Sequence, residues 1–242
     1  ARVLARLGGN IAKAVEAGEW WRLPASTFLH LGFLHVALNM VNLWVLGRLL
    51  EPVLGSLRFF ALYVIAGVGG ALASTAFATQ AGMSVGASGA VMGVLGAIIV
   101  DVVASRQSGK PSPWRRELLR VLLIVVAFQL GVGFLFEMID QTAHVGGLVT
   151  GALVAGLLTP AWRLGAHRLS VVWATALAVI AAALVAYGVW GAATTTRLET
   201  VDRVGWERRS LGGVSLEVPR LWLWGDEARV SDPTWQLAQT LM

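Results

Sequence analysis

Gly86-Ala87-Ser88-Gly89-Ala90-Val91-Met92-Gly93-Val94-Leu95-Gly96-Ala97-Ile98-Ile99-Val100 is the stretch on which the reading of this chain turns. A hydroxyl among glycines heads an apolar run that reaches Val103. Serine at a helix start is ordinary capping chemistry. A serine at the mouth of a membrane-length helix is also a candidate nucleophile. The rest of the chain has to decide between the two.

Composition sets the surroundings. The 242 residues are 56% hydrophobic and 14% charged, with mean hydropathy +0.69. Soluble domains carry roughly 25% charged residues, so this chain has too few to cover a globular surface. The apolar residues fall into runs of spanning length, roughly 17–25 residues. They predict spans at Leu31–Leu50, Leu57–Phe77, Ser88–Val103, Leu118–Phe136, Ala143–Leu158 and Leu169–Trp190. The expectation is an all-α polytopic membrane helix bundle with six transmembrane helices. The absence of cysteine excludes disulfides and thiol chemistry.

The net charge is +5, but its distribution speaks against nucleic acid. Arg48, Arg58, Arg106, Lys110, Arg115, Arg116, Arg120, Arg163 and Arg168 all lie at the connections one–two, three–four and five–six. The connections two–three and four–five hold no Lys or Arg. That alternation is the positive-inside pattern, and it puts the Ser88 end of span three and the His144 end of span five on the non-cytoplasmic side.

Four segments follow. Residues 1–31 mix charges with Trp20-Trp21 and read as an interfacial region. Residues 32–160 form the core, and 161–191 an additional C-terminal transmembrane helix. Residues 192–242 form a polar tail in which the alternation Val214-Ser215-Leu216-Glu217-Val218 reads as a strand. With no initiator Met and a stop inside the tail, the chain reads as an internal piece of a longer protein.

Polar side chains inside spans are costly and mark function by default. They are His35, Asn39, Asn42, Asp101, Gln129 and His144. His35 and Asn39 share a helix face, with His30 just before that helix. Ser88 and His144 stand at the outer ends of spans running the same way. Glycines at 89, 93 and 96 and at 147 and 151 make small-residue stripes that let helices approach closely. If the stripes face each other, Ser88 and His144 meet at one depth as nucleophile and base. Asp101 lies about 20 Å below Ser88 at 1.5 Å per residue, too far to orient the base. Asp140 and Glu137 read as solvated loop residues, so the arrangement is a dyad. An oxyanion hole would draw on His35, Asn39 and the Ser88 N–H. The alternatives are hydrogen-bond glue for His35 and Asn39, a helix-start role for His144, and a three-histidine metal site at His30, His35 and His144. The last lacks any carboxylate or thiol, so no metal and no cofactor are expected.

These residues resemble the rhomboid family of intramembrane serine proteases. The matching pieces are Trp21-Arg22, His30, His35, Asn39, Glu51, Gly86-Ala87-Ser88-Gly89 and Ala143-His144-Val145-Gly146-Gly147 with Gly151. They occupy about residues 7–160, in order and on successive spans. The resemblance implies Ser88 as nucleophile, His144 as general base, and His35, Asn39 and the Ser88 backbone as oxyanion hole. It implies supporting roles for His30, Trp21, Arg22, Gly86, Gly89, Gly147 and Gly151. It also implies transmembrane protein substrates cut near the non-cytoplasmic face of a bacterial-type plasma membrane. The six spans would be family helices two to six plus a seventh, the first family helix lying upstream. Where the family commonly has an aromatic, four residues after the nucleophile, this chain has Met92, a softer support for the base. Two other functions compete: a non-catalytic relative that binds or escorts transmembrane helices, and a small transporter. A transporter would carry polar residues through its full depth, whereas here they gather in the outer half.

Overall fold

The computed structural model describes residues 2–77, 82–106, 113–135, 139–163, 167–194, 206–211 and 214–219. The N-terminal segment holds α1 (Arg2–Leu7), β1 (Asn10–Ile11), α2 (Ala12–Glu16) and α3 (Arg22–Ser26). Long helices follow: α4 (Phe33–Leu54), α5 (Ser56–Phe77), α6 (Ser88–Arg106), α7 (Pro113–Leu135), α8 (Gln141–Arg163) and α9 (His167–Thr194). A two-residue strand, β2 (Met83–Ser84), precedes α6 and pairs antiparallel with β1. The alternating stretch of the tail lies in β4 (Val214–Pro219), which forms a hairpin with β3 (Trp206–Leu211).

Among the described residues, three helices are long and apolar enough to cross a membrane: Phe33–Leu54, Ser56–Phe77 and Val172–Thr194. Ser88–Ala104 is apolar but shorter. The fourth and fifth expected spans fall on α7 and α8, of 23 residues each. The first span runs past its expected end at Glu51-Pro52, because Pro52 sits in the last turn and the helix stops instead at Gly55. Gly55 has φ +79, a conformation that favours glycine, and its N–H closes the helix on the Glu51 carbonyl at 2.7 Å.

The arrangement inverts that of a water-soluble core. Phe33 is 86% exposed and Phe128 67%, and Leu38, Val41, Trp44 and Ile180 are exposed with them. Such a surface is stable only against lipid. The buried element is α6, whose Ala90, Val91, Met92, Val94, Leu95, Ala97 and Ile98 are enclosed by neighbouring helices. It packs on α8, and α5 packs on both. Small residues make this possible. A Cβ at Gly93 would lie 3.0 Å from the Gly147 carbonyl oxygen, one at Gly70 would lie 2.7 Å from that of Ala143, and one at Gly151 would overlap the Gly93 carbonyl. The two glycine stripes face each other, backbone on backbone.

The N-terminal segment is less of a loop than its charges imply. Arg22 is 1% exposed, and its guanidinium donates to the carbonyls of Ala5 at 2.6 Å and Gly9 at 3.0 Å. It also bonds Glu19 through Nε at 2.6 Å. One side chain thereby ties α1 and the chain before β1 to α3. Trp21 is buried beneath α9, where Gly191 makes room for its ring.

Candidate active site

The site begins with a turn. Gly86 has φ +133, its N–H donates to the Ser26 carbonyl at 3.0 Å, and the Ala87 N–H donates to Nε2 of His30 at 3.4 Å. Burial lowers the pKa of His30, opposed by a hydrogen bond to the Phe28 backbone, so it is neutral at pH 7 and free to accept. The first helical bond of α6 runs from the Val91 N–H to the Ala87 carbonyl at 2.9 Å. Ser88 is therefore the first residue inside the helix rather than its cap. The N–H groups of Ser88, Gly89 and Ala90 precede that first bond and collect at the positive end of a 19-residue helix. Ser88 is half-buried, and among the described residues its hydroxyl has no hydrogen-bond partner.

Across the turn stands the first turn of α4. A Cβ at Gly86 would lie 2.8 Å from Cε1 of His35 and 2.9 Å from Nε2, so that ring edge rests against the turn before the serine. Nδ1 of His35 accepts the Leu31 N–H at 3.4 Å, which leaves the proton on Nε2, the nitrogen facing Gly86. His30 and His35 meet edge to face at 5.1 Å. Asn39 is buried and donates one amide hydrogen to the His35 carbonyl at 2.9 Å, and among the described residues its other amide hydrogen has no hydrogen-bond partner. Asn42 donates to the Leu38 carbonyl of its own helix at 2.8 Å.

His144 enters from α8. It is 7% exposed, its N–H caps back to the Asp140 carbonyl at 3.1 Å, and it lies within electrostatic range of His35. A Cβ at Gly89 would lie 3.2 Å from the Ala143 carbonyl oxygen. The neighbours of Ser88 and of His144 are thus in backbone contact. Met92 is buried one turn deeper in the same helix.

Asp140 corrects the sequence expectation. It is not a solvated loop residue. Its carboxylate takes the Ala143 N–H at 2.9 Å, the Thr142 hydroxyl at 2.6 Å and the hydroxyl of Ser74 on α5, and bonds Ser84 on β2. Burial alone would raise its pKa, but these four donors prevail and hold it below the ordinary value. Sequence reasoning missed it because loop position says nothing of which donors converge there. Its signal was an Asp followed at the third position by the residue before His144, the spacing of a helix cap. Glu137 lies outside the described residues. No group of three or more His, Cys, Asp or Glu able to hold a metal occurs among the described residues.

Comparison with known proteins points to one family. Residues 17–161 match the Rhomboid domain. The chain is similar to Rhomboid protease GluP of Bacillus subtilis (strain 168), 35% identical over 178 residues covering 73% of this chain and 34% of the relative. It is similar to Rhomboid protease AarA of Providencia stuartii, 33% identical over 198 residues covering 73% and 68%. It is also similar to RHOMBOID-like protein 5 of Arabidopsis thaliana, 38% identical over 156 residues covering 64% and 49%. The chain thus spans a third to a half of the first and last of these relatives. A family match over more than half its length, on a bundle that turns apolar side chains outward, makes this chain an integral multi-pass membrane protein of the rhomboid family.

Proposed function

We propose that this chain is an intramembrane serine endopeptidase acting through a Ser88–His144 dyad. The observation that carries the reading is the pinned turn. Gly86 and Ala87 are fixed to Ser26 and His30, which holds Ser88 at a helix N-terminus next to the turn that His35 touches, with Gly89 against the residue before His144. Two of the similar proteins, GluP and AarA, are rhomboid proteases, which supports it.

The chemistry runs as acyl transfer. The Ser88 hydroxyl attacks the scissile carbonyl carbon while His144 takes its proton. The resulting oxyanion is met by the Ser88 N–H, by Nε2–H of His35 and by the free amide hydrogen of Asn39. His144 then gives its proton to the leaving amine, and the C–N bond breaks. Water entering from the non-cytoplasmic face gives a proton to His144 as it attacks the acyl-enzyme. The C–O bond to Ser88 then breaks, His144 returns that proton to Ser88 Oγ, and the new carboxylic acid leaves and ionises in water. Substrates are transmembrane segments of other proteins, reached through lipid. The six expected spans correspond to family helices two to six and a seventh.

The test is labelling of the purified protein by a fluorophosphonate, together with cleavage of a transmembrane reporter in proteoliposomes. Wild type is expected to label and cut, and Ser88→Ala and His144→Ala to do neither. Equal labelling of wild type and Ser88→Ala sinks the reading. A reporter bound uncut by both points to an escort instead.

A further inference from the structure

A serine–histidine pair needs something to hold the imidazole. If Nε2 is to accept the serine proton, Nδ1 must carry a hydrogen, and that hydrogen needs an acceptor. Asp140 is the nearest carboxylate along the chain, but it does not serve. Its oxygens already receive Ala143, Thr142, Ser74 and Ser84, which uses the sites a carboxylate offers. It holds the end of α8 and not the ring.

Among the described residues, only two buried side-chain atoms lack a hydrogen-bond partner, and they are Nδ1 of His144 and Oε1 of Gln141. They are complementary, one a donor in the tautomer the reaction needs and the other an acceptor. They are three residues apart on α8, so their side chains share a helix face with Cβ atoms about 5–6 Å apart. The amide orientation of Gln141 is not arbitrary. Its Nε2 donates at 2.8 Å to the Leu130 carbonyl on α7, which can only accept, so the other terminal atom is the oxygen. Each atom left unpaired carries the desolvation penalty of a buried polar group, and one shared hydrogen-bonded link removes both penalties.

We infer that Gln141 is the positioning residue of the dyad: its Oε1, unpaired as it stands, accepts the Nδ1–H of His144, likewise unpaired, through one water or a small rotation of the two side chains, and so fixes the tautomer that leaves Nε2 free as base. The inference rests on the protease reading and supplies the third member that the sequence appeared to lack. Gln141 touches no reacting atom and acts through His144 alone. Its anchor on Leu130 also ties the orientation of the base to the position of α7.

The experiment uses the full chain in detergent and in proteoliposomes, with wild type, Gln141→Met and Gln141→Glu. Met keeps the length and removes the acceptor. Glu keeps an acceptor and gives up the amide hydrogen to Leu130. Gln141→Met is expected to lower the fluorophosphonate labelling rate and reporter kcat by roughly 10–100-fold at unchanged KM, within what a held general base contributes. Gln141→Glu is expected to recover most of that rate. Equal loss in both variants means that only the Leu130 anchor matters and overturns the inference, as does a Gln141→Met protein as fast as wild type. Nitrogen-15 shifts of His144 in the resting wild type supply a readout independent of turnover and of how well any variant folds. A single Nδ1–H tautomer is expected, and a mixture overturns the inference. An unlabelled wild type with that single tautomer would fail the protease reading while leaving the Gln141 contact standing.

Discussion

Gly147 lies so close to Gly89 that a methyl group on it would stand 2.6 Å from the Gly89 carbonyl carbon and 3.0 Å from its Cα. Gly89 follows Ser88 directly and Gly147 lies about one turn after His144, and their contact sets the distance between the helices of nucleophile and base.

Gly147→Ala is therefore expected to destabilise the protein by about 1–3 kcal/mol, the range for overpacking a tight interface. The added carbon meets backbone, which cannot rotate away. Gly156→Ala, where nothing among the described residues lies within 4 Å, is the matched control and should be near neutral. Thermal unfolding in one detergent, with labelling of Ser88 measured alongside, checks both.

Gly86→Ala combines two effects. The position has φ +133, strained for any residue with a Cβ, and that Cβ would press on the His35 ring at 2.8 Å. The expected outcome is a loss of kcat larger than the loss of stability, because on the proposed mechanism the displaced ring would be an oxyanion donor worth about 10²–10³-fold. A Gly86→Ala enzyme with unchanged kcat and a lowered Tm would place the whole effect in the fold.

Asp140 links pH to stability. Its folded pKa is lower than its unfolded one, so ionised Asp140 stabilises the protein above the unfolded value, ordinarily 3.8. That contribution is lost as pH falls from there through the depressed folded value. Wild-type Tm should drop across this acid window. Asp140→Asn, which has no charge to lose, should start lower at pH 7 and show a shallower decline. Parallel Tm–pH curves for the two proteins would refute the assignment.

Arg22→Met removes the partner of two buried carbonyls and of Glu19. Breaking a buried ion pair on one side costs about 3–5 kcal/mol. Arg22→Lys should recover little of it, since one ammonium does not reproduce three bonds fanned from a planar guanidinium. Limited proteolysis within residues 2–26 is the measurement, with faster cleavage expected in both variants.

Much of the architecture was legible because membrane insertion is read from local composition. Long apolar runs have few alternatives in lipid, and the six runs fall on six long helices with ends displaced by a few residues. Where an end moved, as at Leu54, the decisive feature was a glycine torsion and not the proline. The candidate residues were legible for the same reason, since His35, Asn39 and His144 stand out against an apolar background. Asp140 and Gln141 did not, because polar residues between spans look alike until their partners are known. Ser74 and Ser84 reach Asp140 from 66 and 56 positions away in the chain, separations that no local pattern encodes.

By itself, the sequence determined that this chain lives in a bilayer as a helical bundle, and that a serine and three histidines gather towards one face. Those properties follow from hydropathy and order along the chain. Only the tertiary structure decided that Ser88 is not a cap, that Asp140 is consumed in holding α8, and that Gln141 and His144 each keep one buried atom unpaired. Those are statements about where hydrogen bonds go, and a buried hydrogen bond is a property of two positions in space.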